Sequence, residues 1–88
     1  MTAEDIVNKA SVHFGHDVTV PASVGSKTFT SRCMTTYCAV RKKIPYALLT
    51  SALNADRTEL RLMWLFAEGN MDIPSYSRQY KDFLITLK

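Results

Sequence analysis

Little in this sequence turns a chain sharply: its 88 residues hold three glycines and three prolines. Outside Val18 to Val24 apolar and polar residues nowhere alternate as a half-buried strand requires, so helix is the expected state. Cysteine is scarce as well. Cys33 and Cys38 are too few for a disulfide scaffold, and five positions apart on a helix they point in different directions, which suits reduced, half-buried thiols. No run approaches the roughly 18 apolar residues of a membrane span. The opening Met1-Thr2-Ala3-Glu4-Asp5 is acidic where a secretory leader is basic, so a soluble, cytoplasmic protein is expected. With 47% hydrophobic and 22% charged residues the composition is that of a folded domain, and the length suits one core, a single domain over residues 1–88.

Signatures of chemistry are missing too. His13 and His16 lie three apart and the cysteines five apart, neither matching paired zinc ligands, so no metal is expected. Gly25-Ser26-Lys27-Thr28 lacks the earlier glycine of a phosphate loop, and Ser26 separates its glycine from its lysine. No serine or cysteine has a base and an orienting group in a matching pattern. An enzyme is not expected, nor a cofactor.

What is present is unevenly placed charge. The net charge is +3, yet Lys27 to Arg61 holds seven cations against Asp56 and Glu59, while the remainder carries four cations and six acids. A basic middle suggests a face for an anionic partner.

Helix punctuation is clear in several places. Thr2 can cap a first helix, with Asp5 three residues on, and Gly15 ends it. Val18, Val20, Pro21 and Val24 suit an irregular connector. A second helix is predicted from about Thr30 to Lys43, with Arg41, Lys42 and Lys43 in its last turn. Pro45 breaks it and starts a short helix over Tyr46 to Leu53. After the turn Asn54-Ala55, Asp56 and Glu59 stand as a capping box. The helix that follows carries Leu60, Met63, Trp64 and Ala67 in one stripe and Leu62, Leu65 and Phe66 in another, and is therefore expected to be central and most buried. Gly69 and Asn70 end it. Pro74 and Ser75 open a last helix whose Tyr76, Tyr80, Phe83, Leu84 and Leu87 are expected to pack on the central one.

Between Pro45 and Gly69 the proportions are those of a helix-turn-helix, with Arg57, Thr58 and Arg61 in the first turns of its second helix, positioned for phosphates or base edges. The order of parts resembles the C-terminal DNA-binding domain of the bacterial replication initiator DnaA. Asp5-Ile6-Val7-Asn8-Lys9 through His13-Phe14-Gly15 is similar to that family's opening helix, and Arg32 with Met34 and Tyr37 to its basic-loop arginine and the helix behind it. Asp56-Arg57-Thr58-Glu59-Leu60 stands where the family has Asp-His-Thr-Thr-Val, and Tyr80 to Leu87 resembles the closing helix. Asn54-Ala55 replaces Gly-Gly-Arg, and Glu59 replaces a threonine.

The resemblance implies an all-α domain of about five helices, here without the initiator's ATPase module, that binds duplex DNA. Arg57, Thr58 and Arg61 would face the major groove and Arg32 the minor groove. Lys27 would belong to the basic loop, and Lys42 and Lys43 would contact phosphates. A small regulator of replication or transcription, of phage or mobile-element origin, is the expected role. The alternative is a protein-interaction module that mimics the initiator domain and engages replication-initiation proteins without DNA.

Overall fold

A computed structural model describes residues 1–87. Five helices make up the fold: α1 (Ala3–Phe14), α2 (Lys27–Arg41), α3 (Tyr46–Leu53), α4 (Arg57–Asn70) and α5 (Pro74–Thr86). The described residues contain no strand, and no helix among them is long and apolar enough to cross a membrane.

The polar ends of these helices are held as the sequence predicts in most cases. Thr2 Oγ1 accepts from the Asp5 amide while Asp5 Oδ2 accepts from the Thr2 amide, a reciprocal pair that satisfies two donors at the start of α1. Gly15 closes α1 in the left-handed conformation, at φ 76°. The short α3 has the expected bounds, with Asn54 left-handed after it. At α4, Asp56 Oδ1 accepts from the Glu59 amide at 2.8 Å. The reciprocal half of that box does not form, because the Glu59 carboxylate turns toward Arg32, with Oε2 4.0 Å from Nη2. Gly69 lies inside α4 rather than ending it.

Two larger corrections concern α2. It starts at Lys27, capped by Ser26, not near Thr30, and ends at Arg41. Lys27 is thus helical, and no basic loop precedes Arg32. Moreover α2, not α4, is the central element: Ser31 through Thr36, Cys38 and Ala39 are all buried. A helix rich in hydroxyls tolerates this because they turn back onto its own carbonyls. Ser31 donates to Lys27 O, Thr35 to Ser31 O and Thr36 to Arg32 O, at 3.0, 2.7 and 2.8 Å. Cys33 and Cys38 are free thiols, fully buried rather than half-buried.

Around α2 the other helices supply one apolar face each. Ile6, Val7 and Ala10 come from α1, Leu49 and Leu53 from α3, and Leu60, Met63 and Ala67 from α4. Trp64 is only half-buried, stacked on Tyr37 of α2 at 6.0 Å. The aromatic face of α5 meets α1 and α2: Phe83 lies 5.2 Å from Phe14, and Tyr80 lies 5.2 Å from Tyr37, edge-on.

Candidate functional site

The seven cations and polar residues singled out by sequence do not converge. Lys27 opens α2 in a groove with Phe14, His16 and Gln79, whereas Lys42 and Lys43 follow its far end, a helix length of about 22 Å away. Lys42 is the C-cap, and Lys43 takes a left-handed conformation at φ 64°. The Lys43 amide donates to Val40 O and the Ile44 amide to Ala39 O, closing the helix in the manner usually given to glycine.

Arg32 departs furthest from its expected role. Its side chain is 1% exposed, and Nη1 donates to Val18 O and Leu53 O, both at 2.8 Å. Those carbonyls belong to the connector and to the last residue of α3, so one guanidinium ties three segments together. Burial lowers its pKa, partly offset by the Glu59 carboxylate. With its side chain buried and Nη1 spent on two backbone carbonyls, Arg32 does not project toward a groove, which corrects the expectation of a minor-groove reader.

Arg57, Thr58 and Arg61 are together, all exposed on the first turn and a half of α4. The surface that continues from them is the unexpected one. Leu62 is 60% exposed, Leu65 44% and Phe66 37%. With Gly69 they recur at i, i+3, i+4 and i+7, and this stripe lies about 200° round the helix from the buried stripe of Leu60, Met63 and Ala67. Two complete apolar stripes on one helix read in sequence as all-round burial. In a domain of five helices only one of them finds a core to face.

The exposed stripe is not isolated. A shallow groove beside Leu62 is lined by Pro21, Ala22, Val24 and Phe29, with Arg32 and Glu59 at its polar edge. Phe29 and Phe66 meet edge to face at 5.2 Å, and Val24 is 75% exposed. Thus an apolar strip runs along α4 and onto the connector, with Arg57 and Arg61 on its flank. Among the described residues Arg32 and Glu59 form the one ion pair, so neither Arg57 nor Arg61 is neutralised there. Sequence could have signalled this face through the i, i+3, i+4, i+7 order of its members; what it could not tell was which stripe is covered.

The histidines and cysteines take part in packing. His13 lies 4.8 Å from the Phe14 ring and 5.6 Å from that of Phe83. Among the described residues no three His, Cys, Asp or Glu side chains come together as ligands would. Comparison of the chain with protein-family models, with curated proteins and with solved structures finds no match.

Proposed function

We propose that this chain is a protein-interaction module, which docks a protein partner on the outward face of α4 and performs no catalysis. The observation that carries the reading is the exposure of Leu62, Leu65 and Phe66 on a surface that also bears Arg57 and Arg61. Large apolar side chains lined up on a helix, edged by arginine, have the make-up of an interface core and its rim. A DNA groove presents phosphates and base edges, which return little for desolvating leucine and phenylalanine beyond a thymine methyl. On this reading the chain keeps a helical order resembling that of the DnaA DNA-binding domain, while its docking helix serves a protein, with replication-initiation proteins among the partners such a mimic would meet.

A second reading, duplex DNA binding, draws on one specific observation: Arg57, Thr58 and Arg61 are exposed at the N-terminal end of a helix that follows a short turn. Lys42 and Lys43 would then be phosphate contacts. Fluorescence-anisotropy titration against random duplex at low salt separates the two. The docking reading expects no saturable binding at tens of micromolar, roughly the range of non-specific duplex affinity. Association that weakens steeply with salt and falls on Arg57→Ala would overturn it.

A further inference from the structure

We infer that a second copy of this chain occupies the α4 face, the two helices lying antiparallel about a two-fold axis that passes beside Leu65; this rests on the docking reading above. Charge is the ground for choosing this occupant. Arg57, Arg61 and Glu68 are all exposed and share one flank of α4, by their spacings of four and seven residues. Arg61 and Glu68 stand equally far from the helix midpoint between Trp64 and Leu65. So do Arg57 and Asp72, an exposed residue in the turn that follows α4.

A two-fold axis perpendicular to the helix keeps each flank on its own side and exchanges its ends. In that arrangement Arg61 of each copy meets Glu68 of the other, and Arg57 meets Asp72. On the opposite flank Glu59 faces Asn70, so no like charges oppose one another. A parallel pairing, whose two-fold axis runs along the helices, would turn this flank toward Glu59 and Asn70 of the other copy and leave Glu68 with no cation opposite it. Between the flanks Leu62, Leu65 and Phe66 of the two copies close on each other, and the small Gly69 leaves room for approach.

The same contact would relieve a repulsion within the monomer, where Arg57 and Arg61 lie one turn apart on α4 with no acid in reach among the described residues. One helix face with the adjoining Val24 lies at the small end of protein interfaces, so the dimer dissociates in the range of about 10 to 100 µM.

Sedimentation velocity over a concentration series tests this with exposed-site variants that leave the core intact. The wild type should shift from monomer to dimer. Arg61→Glu and Glu68→Arg should each weaken association about tenfold or more, since each reversal sets like charges together twice. An equimolar mixture of the two single variants should dimerise, because every reversed residue then meets its opposite, and the double reversal should restore the homodimer. Far-UV circular dichroism of each variant should match the parent. A wild type that stays monomeric to about a millimolar, single reversals that still dimerise, or a mixture that stays monomeric would each overturn the pairing. Monomers that also ignore duplex DNA would sink the self-pairing alone, whereas salt-dependent duplex binding through Arg57 would sink the docking reading beneath it.

Discussion

The guanidinium of Arg32 donates a 2.8 Å hydrogen bond to the carbonyl oxygen of Leu53, the residue that ends α3. A second bond from the same nitrogen holds Val18 O in the connector. Helix ends leave carbonyls without intrahelical partners, and a buried one must find a donor or lose the free energy of its desolvation. Arg32 is that donor for α3, and α3 in turn positions the start of α4.

Arg32→Ala should therefore act on stability. It empties a fully buried volume and orphans two carbonyls, and urea denaturation should show a loss of about 3 kcal/mol or more. Arg32→Lys should recover only part, since one ammonium can serve both carbonyls as Nη1 does but leaves nothing in place of the Nη2 that faces Glu59 and fills less of the buried volume. A variant as stable as the parent would contradict this role.

Lys43→Gly should move stability the other way. The left-handed backbone at φ 64° costs a side-chain-bearing residue about 1 kcal/mol that glycine does not incur. A midpoint in urea higher than the parent's is the expected outcome, and a lower one would show that the lysine side chain contributes more than its strain costs.

Alkaline pH should destabilise the fold. Burial pushes the Cys33 thiol up from its ordinary 9.0 to about 12, and burial raises the Tyr76 and Tyr80 phenols as well. Each folded-state value exceeds its unfolded one, so the fold favours the neutral form. For Cys33 the stability this lends is complete below 9.0 and is lost as pH rises from there through about 12, because the unfolded chain ionises first. Urea midpoints should fall across that window, and Cys33→Ala should flatten the decline. A pH-independent midpoint would contradict the burial of these groups. In the folded state at neutral pH, Cys33 should also resist thiol reagents.

Much of the fold was legible because local chemistry marks helix ends. Thr2 with Asp5, Pro45 before Tyr46, and Asp56 before Arg57 each name a boundary that the structure keeps. The start of α2 was missed because Ser26-Lys27-Thr28 reads as loop, with Gly25 beside it. Its central position was missed because Thr35 and Thr36 look like surface residues until their hydroxyls turn back on the helix. Arg32 shows the same limit at the candidate site. Nothing in a sequence distinguishes a cation aimed at solvent from one that bonds Val18 and Leu53 carbonyls across the chain, since those partners lie 14 and 21 positions away. The second apolar stripe of α4 was visible as a stripe, but its exposure depends on how many helices surround it, a property of the assembled domain.

The location of the interaction surface can be measured directly by recording amide chemical shifts of the 15N-labelled chain on dilution from about a millimolar to tens of micromolar. Shift changes should concentrate on the outward face of α4, from Arg61 to Gly69, and on neighbouring Val24, with little change at Val12 of α1 or Ile85 of α5, whose side chains are also exposed. Spectra that do not change with concentration would contradict the self-pairing, and changes centred on Val12 and Ile85 would contradict the assignment of α4 as the docking face.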